Sequence, residues 1–289
     1  MRHNKLVMAA FVLLLLIECR TYRTAKETHL HGVNWPAHDE FSPSPHHVFG
    51  EPVYKHHDAC HNVLLTYQAF TVYYDDTVLA PRWAAIKLTS SIVDANSDFR
   101  RPARFKTDPH LKFMGYQYTT HDDYDNVDAA SVHWDRGHMI QFDDARGYGD
   151  QAGLESMYTT NICPQLADLN QNGWLSLENR MTEFARDYRC VWIIVGPVYE
   201  EHPQPYAEGR RVPAPSSFYR IAVRLDDTGA VKAVAFIMPQ EPIPRNADLT
   251  RYISCIDDIE KMTGIDFFHE LPDEIENRIE SEKGEIWPH

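Results

Sequence analysis

β-Branched and aromatic side chains crowd residues 63–74 and again 83–92, a density that predicts two strands joined by a turn at Asp75-Asp76, with Pro81 beyond it. The signature returns at residues 191–195, 218–225 and 231–238, and Asp226-Asp227-Thr228-Gly229 predicts a hairpin between the last two. Between these sets the spacing changes. Over residues 165–188, Leu166, Leu169, Trp174, Leu177, Met181 and Phe184 mostly follow helical intervals, which predicts an amphipathic helix. A second helix is predicted over 247–263, with Leu249, Tyr252, Ile253, Ile256 and Ile259 on one face and Gly264 as its stop. The order strands, helix, strands, helix predicts an α+β fold.

The ends of the chain follow other rules. Arg2, His3 and Lys5 precede an unbroken apolar run of twelve residues, 6–17. A membrane span needs about 20 such residues, so the run fits the core of an export signal occupying residues 1–19, and no stable membrane span is expected. A secreted or periplasmic location follows. Lipid anchoring at Cys19 is the weaker alternative, because Glu18 stands where a small residue is needed. Residues 20–61, interrupted by Pro36, Pro43, Pro45 and Pro52 and rich in histidine, read as a tether. His56, His57, Cys60 and His61 there offer zinc-ligand chemistry without any paired-ligand spacing. The regular part is one domain, residues 62–275, and 276–289 is assigned to a C-terminal tail. In an oxidising compartment Cys60, Cys163, Cys190 and Cys255 allow three pairings, and one or two disulfides are expected.

Composition changes the picture in two respects. In 289 residues, 43% hydrophobic and 12% aromatic content supports a substantial core and excludes a disordered chain. A formal net charge of −14 opposes a nucleic-acid partner, which normally meets a basic footprint. It does not exclude an enzyme that must release its product: a local positive groove and a divalent cation suffice there.

The chemistry concentrates in three segments: Trp134-Asp135-Arg136-Gly137-His138, Asn161-Ile162-Cys163-Pro164-Gln165, and 168–178, which carries Asn170 and Glu178. They supply one imidazole, two carboxamides and one carboxylate. Phosphodiester cleavage requires a base to take a proton from water and a cation to neutralise charge on the leaving oxygen, and this inventory meets both needs.

These segments resemble the DNA/RNA non-specific endonuclease family, the ββα-metal nucleases. The resemblance extends to Phe105-Lys106-Thr107-Asp108-Pro109, Gly196-Pro197-Val198-Tyr199, Val212-Pro213 with Phe218-Tyr219-Arg220, and, towards the end, Ile259-Glu260-Lys261-Met262-Thr263-Gly264 and Leu271-Pro272-Asp273. It implies the ββα-metal (His-Me finger) fold, with central antiparallel sheets flanked by helices, and DNA and RNA as substrates cut to 5′-phosphorylated products. It implies His138 as general base, Asn170 as ligand of Mg2+ (or Mn2+), and Glu178 orienting one of the ion's waters. Asn161 is expected to hold His138 or the phosphate by hydrogen bonding. Arg136 is expected to steady a phosphate or to form a salt bridge beneath the site, and Asp135 to act as a structural acceptor. Arg101 or Arg104, within a basic stretch from Arg100 to Lys106, is expected to contact phosphate. Two positions depart from the family pattern. Gln141 stands for a proline, and Thr182 for an arginine, with Arg180 and Arg186 nearby as substitutes. A catalytically silent nucleic-acid-binding homologue and a phosphodiesterase with a narrower exported substrate remain as alternatives, and the oligomeric state is open.

Overall fold

Period-two alternation along the strands sorts their side chains onto two faces of one sheet, and each face gathers its own core. The structure is a computed structural model that describes residues 44–125 and 132–288. Its strands are β1 (Val53–Tyr54), β2 (Asn62–Thr66), β3 (Phe70–Asp75), β4 (Ala80–Thr89), β5 (Trp134–His138), β6 (Ile162–Leu166), β7 (Cys190–Val198), β8 (Ser217–Leu225), β9 (Val231–Pro239), β10 (Ile253–Ser254) and β11 (Ile265–Asp266). The helices are α1 (Ser90–Val93), α2 (Pro109–Met114), α3 (Phe142–Arg146), α4 (Asp150–Ser156), α5 (Leu175–Asp187), α6 (Ile256–Thr263) and α7 (Asp273–Ser281). Among the described residues, seven strands form an antiparallel sheet in the order β10-β9-β8-β7-β4-β3-β2, while β5 pairs with β6 and β1 with β11. The α+β expectation is met, with an antiparallel centre flanked by helices.

One sheet face presents Val72, Ala84, Ile86, Val191, Val195 and Phe218 to α5, which buries Leu177, Met181, Phe184 and Ala185 against it. The opposite face presents Trp83, Ile194, Tyr219 and Ile221 to α6 and α7, which contribute Ile256, Ile259 and Ile279. Phe184 has no exposed surface, and truncating such a ring to alanine costs about 3–5 kcal/mol.

Several elements differ from the sequence expectation. Residues 63–74 form two strands, because the Tyr67 N–H bonds to the Phe70 carbonyl at 2.8 Å and turns the chain. Strand β4 stops at Thr89, whose hydroxyl accepts from Ile92 N and caps α1. The helix expected from 165 begins later: Gln165 and Leu166 belong to β6, residues Leu169–Trp174 form a π-helical turn, and α5 starts at Leu175. The helix expected over 247–263 is confined to α6, because Ile253 and Ser254 pair with the edge of β9. Its end at Gly264, with φ of 68°, is as expected, and the glycine N–H bonds back to Glu260.

The segments flanking the domain are packed from residue 44 onward. Trp192 donates to the Pro45 carbonyl at 3.0 Å, and Phe49 meets the Trp192 ring edge-on. At the other end Ile279 and Trp287 are buried, the latter against Phe184 with ring centroids 4.6 Å apart, so residues 276–288 do not behave as a tail. His57 bonds to the Tyr73 hydroxyl and His61 to Asp76, which separates the two imidazoles. None of Cys60, Cys163, Cys190 and Cys255 is joined in a disulfide; they lie on four different parts of the fold, with Cys163 buried inside β6. The expected disulfides are therefore not seen among the described residues. The export signal, Cys19 and the first part of the histidine-rich segment lie outside those residues. Among the described residues no helix is long and apolar enough to cross a membrane.

Candidate active site

Trp134–His138 has little intrinsic strand preference, yet it forms β5 because β6 supplies a full antiparallel ladder, Trp134 opposite Leu166 through His138 opposite Ile162. Gly137 is required by that pairing. A Cβ there would lie 2.3 Å from the Gln165 Oε1 and 2.7 Å from its Cβ. The β5–β6 hairpin, the π-turn and α5 together form a ββα unit whose residues line an open cleft of roughly 530 Å³.

His138 ends β5 and lines this cleft. Its ring rests against Phe105 with centroids 5.0 Å apart, and its Nε2 has no hydrogen-bond partner among the described residues. Burial, and after it the Arg101 guanidinium, push the imidazole down to about 3. It is therefore neutral at ordinary pH; the Nε2 atom is buried, while the residue as a whole is part-buried at the wall of the cleft.

Asn161 holds the backbone that follows His138. Its side-chain oxygen accepts from Ile140 N at 3.0 Å, its amide donates to the Ile140 and Ser156 carbonyls, and its own carbonyl accepts from Met139 N at 2.9 Å. It has no exposed surface. These bonds go to Met139, Ile140 and Ser156 and none goes to the His138 ring.

Asn170 and Glu178 both line the cleft. Eight residues of regular α-helix would leave them about 80° apart around the axis at 3.6 residues per turn. The π-turn accommodates an extra residue and removes most of that offset. Asn170 donates its Nδ2 hydrogen to Asp135 Oδ2 at 2.8 Å, an acceptor shared with Gln171, so its Oδ1 remains as an acceptor. A hard oxygen with a buried carboxylate in the same cleft fits a magnesium ion that keeps several waters.

Glu178 is 7% exposed, and its partner is neither Arg180 nor Arg186, which pair with Glu183 and Asp94. Its partner is Arg220 of β8, at 3.3 Å. Arg220 also donates to the Met139 carbonyl at 3.2 Å and lies over the Trp174 ring at 4.6 Å, tying α5, β8 and the residue after His138 together. Burial raises the Glu178 carboxyl while Arg220 opposes that rise. Asp144 of α3 is buried beside this pair and pushed up to about 7 by burial. Sequence reasoning missed both Arg220 and Asp144. An arginine in the middle of an otherwise apolar strand was a readable signal for the first; Asp144, in an acidic pair, offered none.

The arginines divide by geometry. Arg101 lines the cleft, lies 5.6 Å from the Phe105 ring centroid and makes no ion pair among the described residues. Arg104 does not line it and pairs with Asp122 at 2.7 Å in the open. Arg136 lines the cleft and binds Asp125 at 2.8 Å, the salt-bridge alternative. With Arg100 and Arg146 also at the rim, the cleft is basic in a chain of net charge −14. The two departures from the family pattern face each other: Gln141 Nε2 donates to Thr182 Oγ1 at 3.4 Å.

Comparison with known proteins places the chain in a family. The family model described as DNA/RNA non-specific endonuclease matches residues 51–274. Similar proteins include the mitochondrial nuclease EXOG of Danio rerio, 28% identical over 68% of this chain and 58% of that protein. A nuclease of Serratia marcescens is 27% identical over 77% of this chain and 81% of its own length. Human mitochondrial endonuclease G is 25% identical, covering 69% and 67%. The chain thus spans less than two thirds of the Danio protein. The crystal structure of the EndoG/EndoGI complex superposes with a TM-score of 0.61 at 22% identity, covering 78% of this chain and 90% of that one, which establishes the shared fold.

Proposed function

Because the chain belongs to the DNA/RNA non-specific endonuclease family, we propose that it is a metal-dependent endonuclease that hydrolyses phosphodiester bonds in both DNA and RNA. The observation that carries this reading is the neutral imidazole of His138 in the same cleft as Asn170 and Arg101. His138 takes the proton from the attacking water. Arg101 binds the scissile phosphate, and its planar fork suits two oxygens at once. Asn161 and Arg220 position the peptide that follows His138, and Arg136, fixed by Asp125, shapes the floor. Asn170 would hold magnesium through Oδ1, with Glu178 ordering its hydration. When bound, the ion supplies positive charge against the charge that builds on phosphorus and on the departing 3′ oxygen.

Contacts of this kind address the backbone, so no 2′-hydroxyl is needed and little sequence preference is expected. The products carry 5′-phosphates. The apolar run 6–17 supports export, although relatives named as mitochondrial occur in the same family. The test is nicking of supercoiled plasmid and degradation of RNA by purified protein, with magnesium and with EDTA. Both substrates should be cut, and chelation should stop both reactions. Undiminished cutting in EDTA, or no cutting of either polymer in magnesium, would overturn the reading.

A further inference from the structure

On the sheet face opposite the cleft, α6 and α7 share an apolar core through Ile256, Ile259 and Ile279. Their polar edges also meet. Asp257 and Glu260 of α6 and Glu280 of α7 bring carboxylate oxygens within 4.8 Å of one another. Glu280 is 7% exposed, and its Oε1 is buried without a hydrogen-bond partner among the described residues. Glu260 gives one oxygen to the Phe267 N–H at 2.8 Å. Around the cluster Asp266 and Glu276 add negative charge, and Lys55 acts on Glu260. A buried carboxylate oxygen without a donor is costly, and this one belongs to a side chain that meets two further carboxylates.

We propose that Asp257, Glu260 and Glu280 hold a calcium ion that clamps α7 to α6. Carboxylate oxygens are hard ligands, and calcium's flexible shell of about six to eight oxygens accepts donors from two separate helices, where magnesium demands a near-ideal octahedron. Calcium also tolerates irregular geometry and completes its shell with water. The clamp has a structural reach. Beyond α7 the chain crosses the sheet at Gly284, where a Cβ would meet the Ala233 carbonyl at 2.3 Å, and ends with Trp287 on Phe184 of α5.

The test uses the full chain, stripped of metal with EDTA, dialysed to pH 7.5 and titrated with calcium chloride in a calorimeter and in thermal melts. The wild type should bind one more calcium equivalent than Glu280→Gln, and Asn170→Ala, altered only in the cleft, should retain that equivalent. At about 100 times the dissociation constant the ion should raise the melting temperature by about 5 °C, a rise that Glu280→Gln lacks. Glu280→Gln should melt without metal at or above the wild-type temperature, because it removes one of three crowded carboxylates, and should keep magnesium-dependent nicking. Equal calcium stoichiometry in wild type and Glu280→Gln, or the full rise in Glu280→Gln, would overturn the proposal while leaving the nuclease reading untouched.

Discussion

The two faces of the central sheet handle buried charge in opposite ways. In the cleft, Glu178 meets Arg220, Arg136 meets Asp125, and Asp135 accepts from Asn170 and Gln171. On the far face, Asp257, Glu260 and Glu280 collect like charge in one place. Neutralisation within the cleft leaves His138, Arg100 and Arg101 as groups whose partners come from outside the protein. Where neutralisation fails, as around Glu280, the fold itself calls for a cation.

The largest effect on this comparison should come from cutting the internal pair. Arg220→Met leaves the Glu178 carboxylate buried alone and should destabilise the domain by about 3–5 kcal/mol. Adding Glu178→Gln should recover much of that loss, and urea unfolding of the four proteins of the cycle measures it. Single and double variants of equal stability would show that the pair is not coupled. Next, Arg101→Ala should lower kcat/KM for DNA by about 100-fold, as loss of one preorganised donor to a developing anion does. Arg104→Ala, whose ion pair with Asp122 lies in the open, should change it by about twofold or less. Reversal of that order would move the phosphate contact away from the cleft.

Titration sharpens the comparison further. Because His138 is held well below its unfolded value near 6.5, the unfolded chain binds the extra proton first as pH falls. The stability it allows is complete above about pH 6.5 and is lost progressively towards pH 3. His138→Ala should therefore show a shallower decline in urea midpoint over that window than the wild type. Identical slopes would mean that the imidazole titrates normally in the folded protein.

What was legible in the sequence was the chemistry carried by adjacent residues. Asp135 to His138, Asn161, Asn170 and Glu178 could be picked out because together they resemble the motif of the endonuclease family, and each residue type then has a use at a phosphate. The long strands were legible because Val191–Val195 or Phe218–Leu225 are apolar whichever partner they find. Strand β5 was not, because Asp135-Arg136-Gly137 carries no strand signal and is extended only through its ladder with β6. The π-turn was equally hidden, and a regular helix was assumed through Asn170. The predicted single apolar face is divided: Ile253 joined the edge of β9 and packs on the α5 side of the sheet with Leu249 and Tyr252, while Ile256 and Ile259 pack on the other side. Residues 276–288 were set aside because Trp287 acquires its role only on meeting Phe184, far away in sequence. Arg220 paired with Glu178 for the same reason: its partner lies on a different layer of the fold.

The central claim is that the neutral imidazole of His138 serves as the base of the cleft, and its most direct test is plasmid nicking by His138→Ala in saturating magnesium. The rate should fall by about 10²–10⁴, with the melting temperature near pH 7 unchanged. A folded variant that still nicks at a rate within about twofold of the wild type, far short of what a general base contributes, would contradict the account.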